Sequence, residues 1–183
     1  SAARSLYGGF VELVAGEDHR SSFAQPLAPA DHWKLIDLIL LVSRESKVTG
    51  STAGHAAAAT SPLQAARVAD APRRLQECRE AISKKDFARL SEVVEQDSDM
   101  MHAVMMTSTP AIQYLQPLTL AVMASVRSLR TLGVAACYTV DAGPNVHCLC
   151  LPEGEQILRE TLEGLSPKLE ILRAMPGEAA WLV

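Results

Sequence analysis

Three short stretches hold the side chains that a reaction or a ligand would use. The first is DAGPN, Asp141 to Asn145. Asp, Gly, Pro and Asn are turn residues, each for its own backbone reason, so a hairpin turn is one reading. The other reading starts from position: Asp141 directly ends an apolar run, and a strand end aims a carboxylate rigidly into any cleft beside it. The second stretch is TGSTAGH, Thr49 to His55, a small-residue loop running into a helix. It fits an ordinary helix cap. That is the favoured local reading; the other is an anion site made of helix N-terminal N–H groups beside the Ser51 and Thr52 hydroxyls. The third is Arg4 in SAARS. A lone helical arginine is normally solvated, but small neighbours just ahead of a strand leave room for a carboxylate or phosphate partner.

For Asp141 to be held in this way, the chain around it must form strands. VAACYTV before the turn and VHCLCL after it read as a hairpin. Residues 5–15 read as a strand beginning near Phe10, with Gly8 and Gly9 breaking a small-residue helix that carries Arg4. Ser22 to Pro26 reads as a short return strand ended by proline. His32 to Ser43 is a further strand, and its nearly continuous apolar run from Leu35 to Val42 predicts a central one.

Helical composition fills the middle. One helix runs from near Ser51 through Ala56 to Ala59. A second starts at Ser61-Pro62, with Leu75, Cys78 and Ile82 as its stripe. A third spans Lys85 to Met105 with Phe87, Leu90, Val94, Met101 and Val104 on one face, and Asp97 falls on that apolar stripe as an anomaly. A fourth spans Pro117 to Leu132, ended by Gly133. GEQILRETLEGL is a short amphipathic helix, and LEILRAMPGEAAWLV supplies a last strand and tail. Strands at both ends with helices between predict an α+β fold, an antiparallel sheet with helices packed on one face.

The bulk composition narrows the function classes. With 183 residues, 48% hydrophobic and 21% charged, the chain can bury one real core, built from aliphatics because aromatics are only 4%. A net charge of −4 with scattered Lys and Arg gives no footprint for nucleic acid. No apolar run reaches the roughly 18 residues of a membrane span. Cys78, Cys137, Cys148 and Cys150 form no Cys-x-x-Cys pair, so a reducing compartment, the cytosol, is expected. Cys148 and Cys150 share one strand face and His147 points the other way; two ligands do not make a metal site, and none is expected.

Taken in order, SAARSLYGGFVEL, the TGST-A-G loop, the DS…H segment with STPAIQYL (Ser108 to Leu115), and YTVDAGPN resemble one family, the mevalonate diphosphate decarboxylases of the GHMP kinase superfamily. The resemblance spans essentially the whole chain, and four motifs in order are far more specific than DAGPN alone. It implies a GHMP kinase C-terminal domain, ferredoxin-like, over 32–183, with 1–31 as the end of an N-terminal domain or connecting strands. It also implies that Ser1 is the last serine of a Gly-Ser-Gly-Ser-Ala-x-Arg motif. The superfamily's phosphate loop would then lie in an upstream half that binds most of the ATP and Mg2+, and this chain alone would be inactive.

The activity implied is phosphorylation of the tertiary 3-hydroxyl of mevalonate 5-diphosphate, followed by loss of phosphate and carbon dioxide to give isopentenyl diphosphate, in isoprenoid and sterol biosynthesis. Asp141 matches the catalytic aspartate. A free aspartate, with a pKa of about 3.9, is too weak a base to ionise a tertiary alcohol in advance. The implied role is to orient the hydroxyl and take its proton as the bond to phosphorus forms. Arg4 matches the arginine that holds the substrate carboxylate, making it both catalytic and substrate-binding; Ser1, Ser51 and Thr52 match substrate-binding positions. The partners implied are mevalonate 5-diphosphate and a second subunit, as a cytoplasmic homodimer, with no nucleic acid or membrane.

Two positions depart from the family pattern. His55 stands where methionine is common, either as an added phosphate contact or, as favoured one turn into a helix, packed. Asp99 stands where asparagine is common. Asp97 and His102 match polar positions near the cleft and read as capping and helix-to-helix hydrogen bonds rather than catalysis. Similar scaffolds decarboxylate mevalonate 5-phosphate or a 3,5-bisphosphate, or phosphorylate the 3-hydroxyl without decarboxylation. A non-enzymatic α+β interaction module is the alternative from another class.

Overall fold

Apolar periodicity decides where each element lies. The computed structural model describes residues 6–16, 18, 21–44, 51–166 and 169–180, the side chains of Ser51 and Thr52 excepted. In chain order the elements are β1 (Phe10–Val14), β2 (Phe23–Ala28), β3 (Ile36–Leu41), α1 (Ser51–Ala58), α2 (Gln64–Lys84), α3 (Phe87–Met106), α4 (Pro117–Thr131), β4 (Ala136–Val140), β5 (Val146–Cys150), α5 (Glu155–Glu163) and β6 (Glu170–Ala174). β1 and β2 form a separate hairpin, and the other four strands make an antiparallel sheet in the order β4-β5-β3-β6.

The expected α+β architecture is the observed one. β3 is an interior strand, as its apolar run requires, with Ile36, Leu38 and Leu40 buried on one side. That side meets Tyr138, Val146 and Cys148 from its neighbours and is closed by Val122 and Val126 of α4 and Leu158 and Leu162 of α5. Each large aliphatic side chain withdrawn from water there contributes about 1.5–3 kcal/mol. The alternate residues, among them Asp37, Ile39, Thr139 and His147, lie on the other side. Part of that side is covered where Trp33, Phe87 and Leu90 pack around Cys137.

Several boundaries differ from expectation for identifiable reasons. Within the stretch 5–15, β1 starts at Phe10 as expected, because Gly9 takes φ +71°, a turn conformation, and it ends one residue early at Val14. β2 runs past Pro26, which a two-stranded sheet tolerates because its outer edge needs no donor. α2 starts at Gln64 rather than at Ser61-Pro62; Ser61 Oγ accepts the Leu63 N–H and so caps the preceding turn. Cys78 and Ile82 pack as expected, but Leu75 is exposed. Gly133 follows α4 at φ +89°, a conformation that favours glycine, as its place after the helix predicts.

α3 is tied to the rest by polar residues on two of its faces. Asp97, anomalous on the apolar stripe, turns toward α2 and accepts from Arg67 Nη2 at 3.2 Å and Arg74 Nε at 3.0 Å. Glu95, Ser98 and His102 stand three and four residues apart, so they share the face toward β4. β4 is an edge strand, and its outward backbone groups would be unpaired without them. The Tyr138 N–H donates to Glu95 Oε1 at 3.3 Å. The Val140 N–H donates to Ser98 Oγ at 3.0 Å, while Val140 O lies 3.2 Å from Ser98 Oγ and accepts from His102 Nε2 at 3.0 Å. Arg130 of α4 completes the seam, donating to Ala136 O at 3.1 Å and to Glu95 Oε2 at 2.8 Å.

The seam makes two stability predictions. Glu95→Ala leaves the Tyr138 N–H without its acceptor and Arg130 with only Ala136 O; urea unfolding should show a loss of about 2 kcal/mol, whereas loss of a purely surface ion pair would cost well under 1. Burial of His102 pushes its pKa below the ordinary histidine value. The unfolded chain therefore binds the proton first, and stability falls as pH drops through about 6.5 toward the lower folded value. In His102→Gln that component is removed, so unfolding free energies of the two proteins measured between about pH 7 and pH 5 should differ in slope.

Candidate active site around Asp141

Asp141 is the first residue beyond the fastened end of β4. Val140 is paired on its inner side with Val146 and on its outer side with Ser98 and His102, so the strand end is held from both directions. Asp141 is exposed. The turn after it is tied down at three points: the Gly143 N–H donates to Asp141 O at 2.7 Å, Thr119 Oγ1 of α4 donates to Pro144 O at 2.7 Å, and Asn145 Oδ1 accepts the Ser43 N–H at 3.0 Å. DAGPN is thus a turn by composition and also a fixed mount for a carboxylate; the two readings describe one object.

Ala142 packs at the margin of an apolar cluster made by Ala58, Val104, Met105, Ile112 and Tyr114. Ala58 belongs to α1, so the turn and the helix that begins at Ser51 rest on the same cluster. Gly54 in that helix has no room for a side chain, since a Cβ would stand 2.9 Å from Tyr114 Oη. α1 begins at Ser51, the expected place, and Thr49 and Gly50 lie outside the described residues. Ser1, Arg4 and the side chains of Ser51 and Thr52 lie outside the described residues. His55 is exposed, not packed as favoured, because it falls on the solvent side of a helix whose buried positions are Gly54 and Ala58.

The other polar residues singled out in the sequence have structural partners. His102 is buried, edge-on to Tyr114 at 6.1 Å between ring centroids, and holds Val140. Asp99 accepts from the Tyr138 hydroxyl at 3.0 Å and from Arg127 at 2.7 Å. Cys148 and Cys150 are in the main core, where burial pushes the Cys150 thiol up to about 12, and His147 lies on the opposite side. Among the described residues no three His, Cys, Asp or Glu side chains converge as a metal-holding group.

Asp141, Ala142, Gly143, Asn145 and His147 line a shallow open pocket of about 170 Å3. His147 Nδ1 is 2.7 Å from Asp37 Oδ2, and this partner raises the histidine pKa. Sequence reasoning assigned no role to Asp37, His147, Ser98 or Thr119, although it placed His147 opposite Cys148 and Ser98 lies in the DS…H segment. The signal for the first two was present: a charged residue inside IDLILL and a histidine inside VHCLCL are polar interruptions of apolar strands. Thr119 gave none, being a small polar residue on a helix, where most are solvated, and Ser98 gave only its place in the DS…H segment.

Residues 37–175 match the family model for the mevalonate 5-diphosphate decarboxylase C-terminal domain. The chain is 39% identical over 178 residues to the diphosphomevalonate decarboxylase of Aspergillus fumigatus, covering 93% of this chain and 44% of that relative. Its fold superposes on the crystal structure of mevalonate diphosphate decarboxylase from Staphylococcus aureus with a TM-score of 0.90 at 32% identity, covering 97% of this chain and 54% of that one. A solved structure of MDDEF in complex with MVAPP, AMPPCP and magnesium gives a TM-score of 0.90 at 31% identity, covering 97% of this chain and 55% of that one. The chain therefore spans about half the length of the proteins it matches. With the family model covering three-quarters of its length and the fold agreeing throughout, the chain belongs to the mevalonate 5-diphosphate decarboxylase C-terminal domain family.

Proposed function

We propose that this chain supplies the substrate-side half of an enzyme that decarboxylates mevalonate 5-diphosphate to isopentenyl diphosphate with consumption of ATP. The observation that carries the reading is the fastened Asp141: an exposed carboxylate at the end of a strand held on both sides, its turn sharing a packing cluster with Ala58 of α1. A rigid carboxylate loses little entropy on meeting the substrate hydroxyl, which is the condition for positioning to accelerate a reaction. Its task is to orient the tertiary hydroxyl and accept its proton as the oxygen bonds to phosphorus. The exposed carboxyl then releases that proton to solvent, and its restored negative charge stabilises positive character at C3 as phosphate and carbon dioxide depart. Arg4 would hold the departing carboxylate through its guanidinium fork, and Ser1, Ser51 and Thr52 the remaining anionic oxygens.

ATP and Mg2+ enter from the relatives, of which one structure holds AMPPCP and magnesium with MVAPP. The described residues offer no donor set for a resident metal, so no step is assigned to one. Residues 1–31 are read as the end of an N-terminal domain, in keeping with the separate β1–β2 hairpin, and 32–183 as the C-terminal domain. The proposal also takes the enzyme to be a cytoplasmic homodimer of sterol and isoprenoid synthesis, on the resemblance alone.

The test is carbon dioxide and ADP release by the full-length protein carrying this sequence, given ATP, Mg2+ and mevalonate 5-diphosphate. The two should appear one for one, and Asp141→Asn should lower kcat about 10³-fold with KM changed far less. ADP without carbon dioxide would replace the reading with a 3-kinase, and turnover only with the monophosphate would replace the substrate.

A further inference from the structure

One titratable residue in the Asp141 pocket has no part in the mechanism above. His147 stands on β5 opposite Thr139 of β4 and Ile39 of β3, on the face of the sheet away from the core. Asp37, two residues along β3 from Ile39, takes its Nδ1 at 2.7 Å, and Asp37 Oδ1 is buried with no hydrogen-bond partner. A carboxylate acceptor fixes the proton on Nδ1. Nε2 has no protein hydrogen-bond partner among the described residues, and the ring lines the same pocket as Asp141 and Gly143.

A pocket whose floor is acidic would repel an anionic substrate, and this one has a carboxylate at Asp141 and another behind the ring at Asp37. We propose that His147, backed by Asp37, is an anion-contact residue of the Asp141 pocket, its Nε2–H donating to a carboxylate or phosphate oxygen of the substrate. The inference rests on the decarboxylase reading and adds to it a substrate contact outside the four motifs. The charged groups acting on the ring are Asp37 from β3 and Asp141 from the turn, both of which favour the imidazolium. The contact is therefore present below the raised histidine value and is lost as pH rises through it.

The experiment is a pH series, from about 6.5 to 9, of KM and kcat for the full-length protein, His147→Gln and Asp37→Asn. Thermal melts serve as folding controls. In the unsubstituted protein KM should rise about tenfold with pH. His147→Gln should hold KM high and flat across the series, with most of its loss in KM rather than kcat. Asp37→Asn should move the rise to lower pH. A His147→Gln profile that follows the unsubstituted one, or a loss confined to kcat, overturns the proposal.

Inhibition by inorganic pyrophosphate and by free mevalonate identifies which anionic end is held, as the inhibitor whose affinity falls in His147→Gln; a fall in neither overturns the contact. If the unsubstituted protein releases no carbon dioxide, the decarboxylase reading is what fails. Calorimetric binding of pyrophosphate and of mevalonate to the same variants then decides the contact alone, with equal affinities overturning it.

Discussion

The pairing of β4 with side chains of α3 is the constraint on which the remainder of this structure depends. An edge strand normally leaves alternate backbone groups to water and frays at its ends. Here Glu95, Ser98 and His102 take those groups in place of a fifth strand. Ser98 does most to imitate one, meeting both the N–H and the C=O of Val140. The cost is three polar side chains buried along a helix; the gain is that Asp141 leaves the sheet from a residue that cannot shift. A carboxylate on a frayed edge would have to be ordered by the substrate at every encounter, and that ordering would subtract from binding.

The same seam explains the asymmetry of the sheet. One face is closed by α4 and α5 over aliphatic residues and cysteines. The other carries Asp37, Thr139 and His147 on alternate positions, and Asp141 extends it. Because side chains alternate in a strand, a core on one side places every second residue of the same strands at the disposal of a site. α4 serves both sides: Val122 and Val126 build the core while Thr119, near its first turn, anchors the Asp141 loop through Pro144.

What could be read in the sequence follows from how local each signal is. The β4–β5 hairpin, the interior position of β3, the run of α3 and the glycine after α4 all come from periodicity and turn chemistry within a dozen residues, and each is where expected. DAGPN was visible for the same reason, and its place among ordered motifs carried the family. Boundaries set by distant neighbours were not visible: Pro26 stays in a strand because its outer edge is free, and His55 faces solvent because α1 buries only a narrow stripe. Asp97 was visible as an anomaly, but its partners Arg67 and Arg74 are thirty and twenty-three residues away on another helix. Asp37 and His147 are separated by 110 residues and meet only across the β3–β5 ladder, so their pairing is a product of register that no local pattern announces.

The most direct test of this account is native-state hydrogen exchange at the Tyr138 and Val140 amides. If α3 replaces a strand, both amides should exchange as slowly as those of interior β3, despite lying on the outer edge of the sheet. Exchange at the rate of an ordinary exposed edge would mean that the seam opens freely, and that Asp141 is not held by the structure described.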